Sequence, residues 1–452
     1  MKKKVISLML VGAMIASMGA MAGCGSNSGD NGGDAGSSAA ADGGAATDEN
    51  TLTVMAWDPN FNIPALEAAA ADYKANVNPD FNLDIIEQSA SSDIETLLTN
   101  VGSDASGKSV SELPDITLFQ DHYFKQYQAD YPDLWNDALN DSDVVWDDFA
   151  AEKLDYSTVE GVHYGMPVDG GTVIAAYRTD LLEQAGYTID DLTGCSWDEF
   201  LDIGEAVYNA TGKYLLCINA DGNDLVYIMM QAEGQSQFAN GEPNIAGNDT
   251  LNQIIDVLTE AVERNVLYLC NSWEDYTNQA IQGDMLAGVM NGNWIIPTIE
   301  AVEANSGKWE ITTLPTLAGG TEGYASNGGS SLYITSNCQN VDLAVDFLSY
   351  TFGGSQETYD NALKDGGVVT TNTKCGASEV YAEGVEFFNN QPIYQEIASW
   401  TANVPVIEQS DFHYKCREEI GNAIINITQN GYDRDQALEE AQTNLRFAMD
   451  LD

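Results

Sequence analysis

The sequence predicts an α/β fold, and three observations carry that prediction. From residue 51 onward, short alternating β-rich runs are followed by stripes of apolar residues at helical spacing. The first five segments run strand–helix–strand–helix–strand, the order that builds a parallel sheet with covering helices. The 452 residues are 44% hydrophobic, enough to bury a sizeable core in two or three units or in two large lobes.

The elements follow in order. Residues 51–57 alternate and are rich in Thr and Val, and Asp58, Pro59 and Asn60 end that strand. Ile63, Leu66, Ala70 and Tyr73 then recur at helical spacing, with Asn62 as the expected cap and Pro64 in the first turn. Residues 81–86 form a second strand, Ile94, Leu97, Leu98 and Val101 a second helical stripe, and residues 115–119 a third strand. Residues 162–177 are mostly extended. Ser196 and Glu199 have capping-box spacing and open a helix with Trp197, Phe200, Leu201 and Val207 inward. Leu251, Ile254, Ile255, Leu258 and Val262 mark an amphipathic helix. Residues 331–335 form a strand, and Val341, Val345, Leu348 and Phe352 a helix. Gly431 stops one helix and Asp433 caps the last, whose buried face carries Leu438, Ala441 and Leu445.

Charge excludes several functions. Seventy Asp and Glu stand against 17 Lys and Arg, a net charge of −53. Such a surface repels phosphate backbones, so nucleic acid is not a partner. It also repels anionic headgroups, so a basic patch does not attach the chain to a membrane. Dispersed acidity keeps an exported protein soluble.

The N-terminal segment has the features of an export address. Lys2, Lys3 and Lys4 precede 18 uncharged residues, 5–22, and small residues lead to Cys24. The end of this run resembles the lipobox of bacterial lipoproteins, with Met21 where Leu is commoner. The resemblance implies that residues 1–23 are removed and that Cys24 is lipidated as the mature N-terminus. Residues 24–50 contain no large apolar residue and no Pro, so they are expected to form a flexible tether of about 28 Å r.m.s. span.

Several motifs tempt and fail. Residues 102–109, GSDASGKS, fit the P-loop pattern, but a helical stripe precedes them and Pro114 follows, so the required strand–loop–helix setting is missing. Asn219, Asp221 and Asn223 alternate like the start of a calcium loop, yet Asp224 replaces the needed Gly and Met230 the bidentate Glu. The three His, at 122, 163 and 413, lack zinc-ligand spacing. No metal or cofactor is expected. Apart from Cys24, six Cys remain, at 195, 217, 270, 338, 375 and 416; they have no CxxC spacing and allow fifteen pairings. A body of ~400 residues needs no staples, so buried thiols are expected.

Residues 162–186, VHYGMPVDGGTVIAAYRTDLLEQAG, resemble the "YGxPxD…YNxDLxxxAG" segment of family 1 extracellular solute-binding proteins, the maltose-binding-protein-like group. Arg178 stands where Asn is usual. SWDEF at 196–200 resembles that family's "TWDEF" helix start, and GDMLAGVMNGNW at 283–294 its "GKxAMxxNGxW". Pro315, Gly328 to Ser330, and the stretches from Val404 to Tyr414 and Gly431 to Leu445 continue the order. The resemblance runs over nearly all of residues 51–450. It implies a two-lobed periplasmic-binding-protein-like fold with three hinge crossings and an interlobe cleft. Lobe 1 would hold residues 51–169 and 329–366, and lobe 2 residues 170–328 and 367–452. Such proteins deliver a solute to the permease subunits of an ABC importer. The expectation is therefore a monomeric receptor, not an enzyme, lipid-anchored outside a Gram-positive bacterial cell.

A sugar site needs aromatic faces for C–H surfaces and planar polar groups for hydroxyls. Trp57 and Asp58 lie just past the first strand, where α/β ligands bind. Asp121, His122 and Tyr123 follow the third strand, and Asp169 lies at the first expected hinge. Trp294 matches the family's stacking Trp, Trp400 is a further candidate, and His413 stands where maltose-binding proteins carry a stacking Trp. That last departure argues against maltodextrin. A different solute (a phosphorylated polyol, a peptide or a cation), an exported glycosidase and an adhesion module are the competing readings.

Overall fold

The computed structural model describes residues 44–46, 48–104, 107–219, 223–428 and 430–451. The expected signal, Cys24, the tether up to residue 43, and Asp221 lie outside the described residues. Residues Asp42–Asp452 form one compact unit.

Strand β1 (Thr51–Trp57) buries Leu52, Val54 and Ala56 as its alternation requires. It leads into helix α1 (Asn62–Asn76), strand β2 (Asn82–Gln88), helix α2 (Ser91–Gly102), strand β3 (Ile116–Gln120), and helices α3 (Asp121–Asp130) and α4 (Ala151–Ser157). Strand β4 (Gly165–Asp169) closes this run. Strand β5 (Val173–Arg178), helix α5 (Trp197–Thr211), strand β6 (Leu216–Asn219), helix α6 (Asn223–Ala232), helix α7 (Asp249–Glu263), and strands β7 (Leu267–Cys270), β8 (Gly288–Gly292) and β9 (Trp309–Thr312) follow. Then come β10 (Ser330–Ile334) and helices α8 (Val341–Tyr350), α9 (Gln356–Gly366), α10 (Ile393–Thr401), α11 (His413–Thr428) and α12 (Arg434–Ala448).

The main sheet has the order β2-β1-β3-β10-β4. The first three strands are parallel, and β10 runs antiparallel to both β3 and β4. Its register places Trp57 beside Gln88, and Ser330 beside both Gln120 and Asp169. One edge of the sheet thus gathers Trp57, Gln120, Asp169 and Ser330. A second, three-stranded sheet has the order β8-β5-β9, and β6 pairs with β7 in a parallel ribbon. Separate apolar cores form around these sheets, one holding Leu52, Leu118 and Phe347, another Phe200, Leu216 and Leu258.

The helix starts follow local chemistry. Ser196 Oγ accepts from Glu199 N at 3.1 Å and Glu199 Oε2 accepts from Ser196 N at 2.8 Å, the reciprocal pair that the sequence spacing predicts. Asp433 likewise accepts from Gln436 N. Asn62 is a correction: it is the first helical residue and its side chain caps nothing, so the carbonyl oxygen Oδ1 is left over. Val262 is a second correction, since it faces solvent at the edge of the apolar stripe of α7.

The chain passes from the main sheet to the second sheet between Asp169 and Val173 and returns between Ser326 and Ser330. Thr172 and Ser326 bridge antiparallel at this crossing. Gly328 has φ +87, and a Cβ there would stand 2.9 Å from the Trp294 indole nitrogen, so only glycine fits without displacing that ring. Near residue 368 the chain passes again between cores: Val368 packs in the first, and Val369 in a third core that holds Ile174, Ile311 and Ile397.

Candidate functional site

A cavity of about 740 Å³ opens at the sheet edge described above. Trp57, Asp58, Asn62, Ser89, Gln120, Asp169 and Ser330 line one side, and Asp224, Trp273, Trp294, Asn327, Tyr414 and Arg417 the other.

Each side chain is placed by its element. Asp58 takes a left-handed turn (φ +62) where β1 ends, and its Oδ1 accepts from Asn60 N at 3.0 Å. Asp115 carries out a comparable task at the other end of the sheet, tying β1 to β3 through Thr53. Asp169 ends β4 and is buried; its Oδ2 has no hydrogen-bond partner among the described residues, as is true of Asn62 Oδ1. Burial pushes the Asp169 carboxyl above its ordinary range, while the nearby Lys153 ammonium pulls the other way. Trp294 donates from Nε1 to Asn327 O at 2.7 Å, and Asn327 Nδ2 donates to Asn291 Oδ1 at 2.8 Å, which fixes the indole plane. Trp273 and Trp294 lie 5.8 Å apart, tilted by 47°. Arg417 pairs with Asp224 and lies over the rings of Tyr227 and Tyr414 at 5.2 and 5.4 Å. The arrangement offers indole faces, two unspent acceptors and a charged donor–acceptor pair within one hollow. Among the described residues no group of three His, Cys, Asp or Glu is placed to hold a metal ion.

Of the nine residues expected from sequence, the structure brings four to the cavity: Trp57, Asp58, Asp169 and Trp294. Five lie off its lining. Asp121 is 1% exposed, because β3 runs one residue further than expected and Asp121 opens α3 facing inward. It pairs with Lys153 and accepts from Ser331 Oγ at 2.7 Å. His122 donates to or accepts from Tyr156 at 3.0 Å and stacks on His413 at 4.8 Å; they are 5% and 3% exposed. Tyr123 stacks on Tyr414 at 4.0 Å and so supports a lining residue from outside. Trp400 packs on the apolar core beneath the second sheet. Asn62, Asp224, Trp273, Tyr414 and Arg417 escaped sequence reasoning. The i,i+3 spacing of Tyr414 and Arg417, with an Arg in so acidic a chain, was the available signal.

A family profile described as bacterial extracellular solute-binding protein matches residues 68–389. The chain belongs to this family. A lactose-binding protein of Rhizobium radiobacter is 33% identical over 363 residues, covering 80% of this chain and 84% of that protein. An arabinooligosaccharide-binding protein of Halalkalibacterium halodurans is 21% identical over 353 residues, 76% of this chain and 78% of its own. Among solved structures, an extracellular solute-binding protein of family 1 superposes with a TM-score of 0.72 at 18% identity, covering 88% of this solute-binding protein and 99% of that chain. The MalE sugar-binding protein of Xanthomonas citri gives 0.67 at 17% identity, with 89% and 100% covered. The fold is therefore the two-lobed α/β fold of these receptors. Among the described residues no helix is long and apolar enough to cross a membrane.

Proposed function

We propose that this solute-binding protein is a lipid-anchored extracellular receptor that holds a carbohydrate, an oligosaccharide, between two lobes and hands it to an ABC importer. The observation that carries this reading is the cavity at the sheet edge, where Trp57, Trp273 and Trp294 offer ring faces beside the unspent oxygens of Asn62 and Asp169. Sugar C–H faces stack on the indoles, and hydroxyls donate to the carboxylates. The names of the lactose- and arabinooligosaccharide-binding relatives support the same class of solute. Lobe 1 comprises residues 51–169 and 329–366, lobe 2 residues 170–328 and 367–452, and closure turns about the three crossings. Sugar touching both lobes stabilises the closed form by the difference in its affinity for the two forms. No covalent step is involved, and the receptor acts as a monomer on the outer face of a Gram-positive membrane, held by Cys24.

Isothermal titration of the mature body against lactose, galactobiose and arabinooligosaccharides tests this. A binder at 100 times its Kd adds about 2.7 kcal/mol and raises the melting temperature. The bound sugar is recovered unchanged. A response only to peptides or cations, or a hydrolysed sugar, overturns the reading.

A further inference from the structure

Strands β6 and β7 run parallel, with Cys217 beside Tyr268 and Cys270 beside Asn219. The two cysteines are therefore diagonal neighbours on one face of the ribbon, since side chains two residues apart share a face. Their Sγ atoms lie 2.9 Å apart, and the residues are 1% and 0% exposed. A thiol is a weak donor and a weak acceptor, so a hydrogen bond gives little reason for so close an approach. A movement of about 0.9 Å would bring the sulfurs to bonding distance. None of the other four described cysteines, all buried, has a hydrogen bond to a second sulfur among the described residues.

We propose that Cys217 and Cys270 are joined by a disulfide in the extracellular protein. The two thiols give up two protons and two electrons to a low-molecular-weight disulfide such as oxidised glutathione. That oxidant leaves as two thiols after a mixed-disulfide step. The bond forms while the chain folds, before the strands are covered. Afterwards burial raises both thiols above their ordinary range, so residual free thiol in the folded protein reacts slowly.

The position gives the bond a purpose. It closes a loop across 53 positions of chain, and that loop contains α6 with Asp224. Trp273 follows Cys270 by three residues, and Cys217, Asp224 and Trp273 share a small recess beside the main cavity. The bridge therefore pins the floor under one wall of the site. It stands independently of which solute is bound.

The test uses the exported, mature protein purified without reductant. It is unfolded in guanidinium with iodoacetamide, with and without prior reduction, and its intact and peptide masses are read. Four body cysteines are expected to be alkylated without reduction and six after it, with one peptide pair joining Cys217 to Cys270. Reductant is expected to lower the melting temperature of the wild type by roughly 3–5 °C and to leave the Cys217→Ala/Cys270→Ala variant unmoved. Six alkylated cysteines before reduction, or a bridge joining any other pair, would overturn the proposal. Because the wild type alone decides the mass result, a variant that fails to fold does not weaken the test.

Discussion

Two clusters of aromatic and polar residues lie where the two halves of the body meet, and they differ in where their hydrogen bonds go. The cavity cluster holds Trp57, Asn62, Asp169, Trp273 and Trp294 around open space, with two buried oxygens unspent. The second cluster draws on the same residue types but spends most of their polar atoms on itself, leaving His122 Nδ1 without a partner among the described residues. Tyr156 of α4 meets Tyr227 of α6 at 2.7 Å and His122 of α3 at 3.0 Å. Glu152 accepts from Ser326 Oγ at 2.5 Å and from Gln231 Nε2 at 3.2 Å. His413 of α11 stacks on His122, and burial pushes it down to about 3, so both imidazoles are neutral at neutral pH. A buried polar group keeps its cost low by finding a partner. Where the protein supplies most of those partners the cluster acts as a clasp, and where open space takes their place the cluster is the candidate binding site.

The sharpest way to break this contrast is to remove a ring from the cavity. Trp294→Ala is expected to cost about 3 kcal/mol of sugar affinity, over a hundredfold in Kd by titration calorimetry. An unchanged Kd would deny the cavity its role.

The clasp should respond to pH instead of sugar. Burial raises Glu152 from 4.5 to about 7, against the hydrogen bonds from Ser326, Tyr156 and Gln231. The folded protein therefore keeps this proton where the unfolded chain has lost it. The resulting stability is full below about pH 4.5 and is lost as pH rises through 7, up to about 3 kcal/mol. Denaturant titrations across that window should show a shallower fall with pH in Glu152→Gln than in the wild type. Parallel curves would show that Glu152 is ionised in the fold.

A smaller effect is expected from Asp169→Asn, which keeps the shape and removes the charge. It should weaken sugar binding by about 2 kcal/mol, roughly thirtyfold, because a charge-assisted bond becomes a neutral one. Trp400→Phe should change Kd by less than about 0.5 kcal/mol, since Trp400 packs on a core and lies off the cavity. A large loss there would move the boundary between site and scaffold.

The residues that were legible lie at strand ends. Alternation fixes where β1 stops, and a sheet with parallel strands puts ligands at that edge, so Trp57 and Asp58 followed from local pattern. Asp169 and Trp294 came with the family segments around them. The helical positions were harder. His413 and Tyr414 are adjacent, yet about 100° apart around α11, so one enters the clasp and the other the cavity. At β3 a one-residue shift of the strand's end turned Asp121 from the edge into a buried ion pair.

By itself the sequence determined the α/β order, the helix starts capped by Ser196 and Asp433, and the strand edge that borders the candidate cavity, because periodicity, caps and turns act over a few residues. The tertiary structure alone decided which of two like clusters stays open. That depends on whether a partner such as Ser326 or Lys153, far away in the chain, arrives to satisfy each polar atom, and no local pattern encodes that meeting.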